Sequence, residues 1–342
     1  MGFKYLKKMP SPDEVLGKQP LTKKLKEVKK KRDLEIEEIF LDNDKRFILI
    51  IGPCSAHNED ALCEYVNRLA AIQEKVKDKL FLIPRIYTNK PRTTGLGYKG
   101  MLHQPDHKKK PNMVKGLWAI RHMHLRAFSE SHLSAADEML YPGNYPYLAD
   151  VLSYVAIGAR SVENQQHRLT SSGLTIPVGM KNPTSGDINV MLDAICAAQN
   201  SHIFIYNGWE VQTRGNILTH AILRGAVDSS GRSIPNYYYE NLRNLAETYQ
   251  KRELLNPAII VDVNHANSGK KYREQPRISK EIMYKRKNSP LLRKTIKGLM
   301  IESYLLEGSQ DAAENEFGRS ITDPCLGWED SEKLIYKLAE LC

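Results

Sequence analysis

No apolar run in the 342 residues approaches the roughly 20 needed to cross a bilayer. The opening stretch, Met1 to Lys8, is charged and has no apolar leader core. The expectation is therefore a cytoplasmic protein with no membrane partner. Cysteine is scarce and scattered: Cys54, Cys63, Cys196, Cys325 and Cys342 form no C-x-x-C pair. That excludes a zinc ribbon and a thioredoxin-type redox site, and it fits reduced thiols. No G-x-G-x-x-G directly follows a strand-like run and no G-x-x-x-x-G-K-[ST] occurs, which disfavours the two commonest nucleotide cradles. Low-complexity tracts and internal repeats are also missing.

Negative charge is in deficit. Lys and Arg number 50 against 40 Asp and Glu, for a formal net charge of +10. A basic chain attracts anions, nucleic acid among them. The basic runs at 29–32, 108–110 and 285–287 are separated and lack the interleaved aromatics of a single-strand binder. The excess therefore points to a pocket for anionic metabolites, with no nucleic-acid partner. Salt-sensitive binding to any duplex is the signature that would reverse this.

Residues 1–45 are highly charged. Leu21, Leu25, Val28, Leu34, Ile36 and Ile39 draw a thin apolar stripe along them. The pattern predicts one or two helices in an arm, too short for a domain, that packs on the main body or on another subunit. Residues 46–342 read as one unit of short apolar runs separated by helical stretches. Eight runs have strand character: 47–51, 80–83, 132–136, 154–157, 176–180, 203–206, 258–261 and 298–301. Apolar residues at helical spacing lie between them, as in 58–79 (Leu62, Val66, Leu69, Val76) and 187–199 (Val190, Met191, Ala194, Ile195). Alternation of this kind implies a parallel sheet. Eight units in about 290 residues suit an α/β fold, a (β/α)8 TIM barrel with a short helical N-terminal extension. An open doubly wound sheet is the alternative.

Barrel enzymes place their chemistry at the C-terminal ends of the strands. The first run is followed by Gly52-Pro53-Cys54-Ser55, the second by Pro84-Arg85 and then Lys90-Pro91-Arg92-Thr93-Thr94, and the third by Asp137-Glu138. Gly158-Ala159-Arg160 follows the fourth, Lys181-Asn182 ends the fifth, and Asp262 and Asn264-His265 follow the seventh. Glu302-Ser303 follows the eighth. Two groups emerge. Arg85, Lys90, Arg92, Arg160, Lys181 and Arg224 are cations suited to phosphate and carboxylate. So many around one mouth call for substrates that carry at least two phosphates. Cys54, His265, Glu302 and Asp323 combine thiolate, imidazole and carboxylate, a donor set for a first-row divalent metal. Each residue alone has a plainer reading, as a solvated charge, a buried small thiol or a structural histidine. Their phase with the strand ends turns the balance toward a site. Trp118, Trp209 and Trp328 read as packing residues.

At these same positions the sequence resembles the type I-alpha 3-deoxy-D-arabino-heptulosonate 7-phosphate (DAHP) synthases. Residues 51–57 (Ile-Gly-Pro-Cys-Ser-Ala-His), 90–94 (Lys-Pro-Arg-Thr-Thr), 158–161 (Gly-Ala-Arg-Ser), 177–182 (Pro-Val-Gly-Met-Lys-Asn), 222–225, 265–268 (His-Ala-Asn-Ser) and 318–323 (Gly-Arg-Ser-Ile-Thr-Asp) carry the likeness, which runs from about 45 to 340. It implies a (β/α)8 barrel and a reaction that joins phosphoenolpyruvate to erythrose 4-phosphate. It also implies one divalent metal ion (Mn2+, with Fe2+, Co2+ and Zn2+ as alternatives) and a homodimer or homotetramer. Carried over by position, Cys54, His265, Glu302 and Asp323 correspond to the metal ligands. Arg160, with Ala159 beside it, Lys181 and Arg224 correspond to the clamp on the phosphoenolpyruvate phosphate. Arg85 and Lys90 correspond to contacts on its carboxylate side, Arg92 and Thr93 to the erythrose 4-phosphate site. Lys90, Glu138 and His265 are the implied catalytic groups.

The chain departs from the family pattern in three places. Residues 95–100 (Gly-Leu-Gly-Tyr-Lys-Gly) form a loop one residue longer than usual, with Tyr98 where Trp is common. Asn264 stands where Ser is frequent, and 206–220 is shorter than in feedback-inhibited members. The rival chemistries are a synthase that takes arabinose 5-phosphate, which the Lys90–Thr94 motif opposes, and a secondary-metabolism variant on a modified aldose phosphate. An inactive scaffold barrel is opposed by the intact donor quartet.

Overall fold

A computed structural model describes residues 2–314 and 316–342. The chain closes eight parallel strands into a barrel: β1 (Phe47–Gly52), β2 (Leu80–Pro84), β3 (Ala135–Glu138), β4 (Leu152–Ile157), β5 (Val178–Lys181), β6 (Thr219–Leu223), β7 (Ile259–Asp262) and β8 (Ile296–Glu302). The ladder runs β2-β1-β8-β7-β6-β5-β4-β3. A parallel bridge between Arg85 and Ala136, with Ile86 N–H donating to Ala136 O at 2.9 Å, joins the two ends. Every barrel strand is buried along its whole length. That is why these segments appear as continuous apolar runs rather than alternating ones.

The connecting helices form the outer layer: α3 (Glu59–Val76), α4 (Met113–Ser131), α5 (Gln165–Ser171), α6 (Ile188–Gln199), α7 (Tyr239–Lys251), the pair α8 (Gln275–Asn288) and α9 (Pro290–Thr295), and α10 (Trp328–Leu341). A 3-10 turn at Pro142–Tyr147 is the only helical piece between β3 and β4 among the described residues. Helix α3 shows how the sequence sets an element. The Asn58 side chain caps its first turn through Ala61 N at 3.0 Å, Glu59 and Asp60 suit the dipole, and Leu62, Val66, Leu69 and Val76 face the core.

The arm forms α1 (Pro12–Lys18) and α2 (Lys23–Phe40). Helix α2 closes the N-terminal end of the barrel. Ile36, Ile39 and Phe40 are buried against Ile48, Ile50, Tyr154, Leu218 and Ile222 of the barrel interior, and the Phe40 ring lies 4.4 Å from that of His220. Side chains of this size contribute about 1.5–3 kcal/mol each when removed from water. The stripe's fourth member, Leu34, points to solvent.

Three expectations need correction. Run 203–206 is not a barrel strand. It pairs antiparallel with Trp209–Gln212 in an external hairpin. Asn207 and Gly208 both have positive φ (50° and 83°), the two-residue turn that an Asn-Gly pair favours. The sixth barrel strand is Thr219–Leu223, which the apolar pattern hides because it contains Thr219 and His220. Inside the barrel His220 is satisfied: Nδ1 lies 2.8 Å from Leu218 O and Nε2 2.7 Å from the Tyr154 hydroxyl. The third strand starts at Ala135, not His132, because His132 is the left-handed residue (φ 57°) that ends α4. Trp209 is exposed on the hairpin rather than packed. No described helix is long and apolar enough to cross a membrane.

Candidate active site

The strand ends converge on a cavity of about 400 Å³ at the C-terminal mouth of the barrel. Size does not single it out, since a groove of about 690 Å³ lies beneath the barrel and a pocket of about 540 Å³ under the hairpin. What singles it out is its lining: Cys54, Arg85, Lys90, Arg92, Thr93, Glu138, Ala159, Arg160, Lys181, Arg224, His265 and Asp323 all border it. The expected set is therefore assembled, with Glu302 buried just below. Lys90, Arg92 and Thr93 reach the mouth from the irregular stretch between β2 and α4, and Asp323 from the loop between β8 and α10. Gly158 permits the approach of Glu138, because a Cβ there would stand 2.0 Å from Glu138 Oε1.

On one side, ligand atoms of Cys54, Glu302 and Asp323 all lie within 4.8 Å of one another. His265 stands beside this trio rather than within it. Its Nε2 is 3.9 Å from Glu302 Oε1, and its Nδ1 is 2.9 Å from Asp262 Oδ2 at an angle outside hydrogen-bond geometry. Lys90 Nζ lies 2.8 Å from both Cys54 Sγ and Asp323 Oδ2. Burial, reinforced by the Glu302 charge, raises the Cys54 pKa. Burial also works to raise that of Asp323, but Lys90, with Lys270 and His265, holds it well below the usual carboxylate range. The two partners of the Lys90–Asp323 contact agree: burial opposes the Lys90 charge, and Cys54 and Asp323 more than offset it. A thiol and two carboxylates this close, with an imidazole adjacent, are a mixed sulfur, oxygen and nitrogen donor set. The chemistry of the set suits a first-row divalent ion.

On the other side are the cations. Arg85 is committed inward: Nη2 donates to Glu302 Oε1 at 2.9 Å and Nη1 to Pro53 O, and the guanidinium stacks on Tyr87 with its carbon 3.8 Å from the ring centre. Lys181 lies 3.5 Å from Asp262 Oδ2. Arg92, Arg160 and Arg224 differ, because none has an acidic partner within salt-bridge distance among the described residues. Arg92 Nε donates to Tyr98 O at 2.8 Å and Arg160 Nε to Thr93 Oγ1 at 2.8 Å, while Arg224 Nη1 is buried without any partner. Burial lowers the Arg224 pKa; Asp262 opposes the shift and Arg160 adds to it. Uncompensated guanidinium groups around one cavity are an anion receptor waiting for its anions.

Several residues of the site were given no role in the sequence reading. Lys270, Leu96, Thr184 and Val227 also line the cavity. Asn264 Nδ2 donates to Glu302 Oε2 at 2.5 Å, and Gln275 holds the Glu302 backbone through both N and O at 2.9 Å. Asp262, the last residue of β7, contacts both Lys181 and His265, and its place at a strand end was the available signal. Lys270 gave none.

Comparison with known proteins follows the same line. The sequence model of the DAHP synthetase I family matches residues 23–335. The phospho-2-dehydro-3-deoxyheptonate aldolase of Haemophilus influenzae is 38% identical over 337 residues, covering 96% of this chain and 90% of that protein. The Phe-sensitive enzyme of that name from Escherichia coli is 38% identical over 346 residues, covering 98% of this chain and 95% of that protein. Among solved structures, the phospho-2-dehydro-3-deoxyheptonate aldolase of Francisella tularensis superposes with a TM-score of 0.92 at 33% identity, over 99% of this chain and 98% of that one. With a barrel that matches end to end and a family match that runs from the arm helix α2 into α10, the chain belongs to the DAHP synthetase I family.

Proposed function

We propose that the cavity at the barrel mouth is where this enzyme, a DAHP synthase, condenses phosphoenolpyruvate with erythrose 4-phosphate and water. The products are 3-deoxy-D-arabino-heptulosonate 7-phosphate and phosphate, in the first step of the shikimate route to aromatic amino acids. The observation that carries this placement is the pairing of three guanidinium groups that lack an acidic partner among the described residues with a thiol-and-carboxylate donor trio across a single cavity. Arg160, Lys181 and Arg224 take the phosphate of phosphoenolpyruvate. Arg85 and Lys90 face its carboxylate, and Arg92 with Thr93 takes the phosphate of the sugar. Holding two mutually repelling anions in register is an orientation and electrostatic task, and cations fixed on strand ends perform it without reorganising.

Cys54, Glu302 and Asp323, with His265 completing the set, are the residues that would hold a divalent metal, Mn2+ or one of Fe2+, Co2+ and Zn2+. Such an ion supplies Lewis-acid polarisation of the aldehyde. Carbon 3 of phosphoenolpyruvate attacks the aldehyde carbon, carbon 2 becomes electron-poor and takes up water, and phosphate leaves by C–O cleavage. Lys90, beside Cys54 and Asp323, is placed to hold a proton near the sugar oxygen. The Glu138 carboxylate has no hydrogen-bond partner among the described residues, which leaves it free to orient the water. Five free cysteines accord with a cytoplasmic location. The hairpin presents Ile203, Ile205 and Trp209 to solvent at 64%, 75% and 75% exposure on strands with open edges, which supports a homodimer or homotetramer.

The test is phosphate release from phosphoenolpyruvate with erythrose 4-phosphate or arabinose 5-phosphate, with Mn2+ and after EDTA, for the wild type and Cys54→Ala. Metal-dependent turnover with erythrose 4-phosphate alone, lost in the variant, is expected. Turnover by the EDTA-treated enzyme at the Mn2+ rate would remove the metal from the scheme. No turnover with either sugar would overturn the reaction.

A further inference from the structure

Behind Lys90 and Glu138, on the side away from the cavity, lies a buried polar cluster that the reaction as described does not use. Successive residues of a strand point to opposite faces. At the end of β3, Glu138 borders the cavity and Asp137 faces the helix layer, where it meets His124 of α4. Asp137 is 4% exposed and His124 1%. The Asp137 carboxylate accepts three hydrogen bonds. Oδ1 takes Glu138 N–H at 2.7 Å and Thr88 N–H at 3.0 Å, and Oδ2 takes the Thr88 hydroxyl at 2.5 Å. His124 Nε2 lies 3.5 Å from Oδ2, beyond hydrogen-bond reach, and neither ring nitrogen has another partner among the described residues.

An ionisable side chain between a strand and its covering helix is costly unless it is fully paired, and packing alone would favour an apolar residue there. What the carboxylate does is carry the link between β2 and β3 beyond the bridge at Ile86 and Ala136, tying together two further segments. One is the backbone of Glu138 itself. The other is Thr88, two residues before Lys90. From Thr88 onward the chain is pinned from the far side as well. Lys90 N–H donates to Lys99 O at 3.0 Å, Leu102 N–H donates to Thr88 O at 3.3 Å, and Gly100 presses so close to Thr88 and Asn89 that a Cβ would stand 2.4 Å from Thr88 O. The irregular stretch 88–112 would otherwise leave Lys90 on a loop. The Asp137 bonds tie its root to the rigid end of β3.

We propose that Asp137 is a positioning residue for the condensation: it splints the strand-end segment that carries Lys90 to Glu138, so that the two groups keep one spacing across the substrates. This rests on the functional reading above, in which Lys90 and Glu138 touch the reacting molecules. The phosphate clamp of Arg160, Lys181 and Arg224 hangs from β4, β5 and β6 and meets the splinted segment where Arg160 Nε donates to Thr93 Oγ1 at 2.8 Å.

The experiment measures kcat and KM for both substrates, phosphoenolpyruvate affinity by calorimetry, and Tm, for the wild type, Asp137→Ala, Asp137→Asn and Thr88→Val. Displacing a catalytic group by about 1 Å costs on the order of 100-fold, so Asp137→Ala is expected to lose about 10- to 100-fold in kcat. Its phosphoenolpyruvate affinity should fall far less, by about threefold, because the clamp still holds the phosphate and only the Lys90 side of the carboxylate is disturbed. Asp137→Asn should be rescued to within about threefold of the wild-type kcat, since its Oδ1 still accepts both N–H groups and its Nδ2 can donate to Thr88 Oγ1. Thr88→Val, which deletes one of the three bonds at constant shape, should fall between them. A folded Asp137→Ala with wild-type kcat overturns the proposal. So does a loss shared equally by affinity and turnover in step with Tm, which is what a merely structural role predicts. If Asp137→Ala does not fold, Thr88→Val decides: turnover at the wild-type rate refutes the splint, and a loss of turnover clearly larger than the loss of affinity supports it. A wild type that releases no phosphate overturns the functional reading, and the positioning role with it. Failure of the splint proposal alone shows as an active wild type whose variants keep full turnover.

Discussion

Replacing Arg224 by Met separates binding from stability in a way that few substitutions can. The side chain keeps an unbranched apolar stem and loses the charged guanidinium. In the ligand-free protein that charge is a liability: Arg224 Nη1 is buried without a partner, and the neighbouring Arg160 repels it. Arg224→Met is therefore expected to leave the Tm of the ligand-free enzyme unchanged or to raise it. With phosphoenolpyruvate bound, the same guanidinium makes charge-assisted bonds to a phosphate, worth about 2 kcal/mol net. Their loss corresponds to roughly 30-fold weaker binding. Ligand at 100 times the wild-type Kd stabilises the folded wild type by about 2.7 kcal/mol, and the same concentration stabilises the variant by about 0.9 kcal/mol. Thermal melts with and without phosphoenolpyruvate, in EDTA so that no turnover intervenes, read both quantities in one plate. A variant that keeps the full ligand-induced shift would show that Arg224 does not hold the phosphate. A variant that loses ligand-free stability by more than about 1 kcal/mol would show that the charge is structurally paired after all, and the receptor argument would fail.

Other consequences are equally specific. Glu302→Ala leaves the buried Arg85 without its carboxylate and should cost about 3–5 kcal/mol in urea unfolding, whereas Cys54→Ala should cost far less; similar values for the two would refute the pairing. His220 is buried neutral in the barrel floor, and burial pushes its pKa down to about 4 from 6.5. Below about pH 6.5 the unfolded chain takes up a proton there that the folded chain refuses until about pH 4, so stability falls as pH falls through that window, by about 3 kcal/mol in full. The stability difference between wild type and His220→Gln, followed from pH 7 to pH 4.5, should shrink accordingly; a pH-independent difference would mean that His220 is not held neutral. The double variant Ile205→Asp, Trp209→Asp is expected to reduce the oligomeric mass in light scattering while the monomer stays folded; an unchanged mass would place the subunit contact elsewhere.

The correspondence between pattern and fold was closest where one physical rule acts alone. Strands buried on both faces must be apolar throughout, so β1, β2, β4, β7 and β8 stood out at once. Helix α3 did so through its cap and its 3.6-residue spacing. The rule failed where two demands overlapped. Thr219–Leu223 carries a histidine whose cost is met by Tyr154 and a backbone carbonyl, neither visible locally. Ile203–Tyr206 is as apolar as a barrel strand although it lies on an exposed hairpin, and only the Asn207-Gly208 turn distinguished the two cases.

The candidate site divides along the same boundary. The identity of its groups was legible, because barrel chemistry sits at strand ends and the polar residues there kept phase with the apolar runs. Family motifs extended this to Lys90, Arg92 and Asp323, which lie on loops. Which groups are free and which are spent was not legible. Closure of the barrel decides that Arg85 is paired with Glu302, that Lys90 sits between Cys54 and Asp323, and that Arg224 has no partner. Composition and periodicity are one-dimensional and report burial and period. Charge pairing depends on distances between residues as far apart in sequence as Arg85 and Glu302, and only the packed barrel sets those.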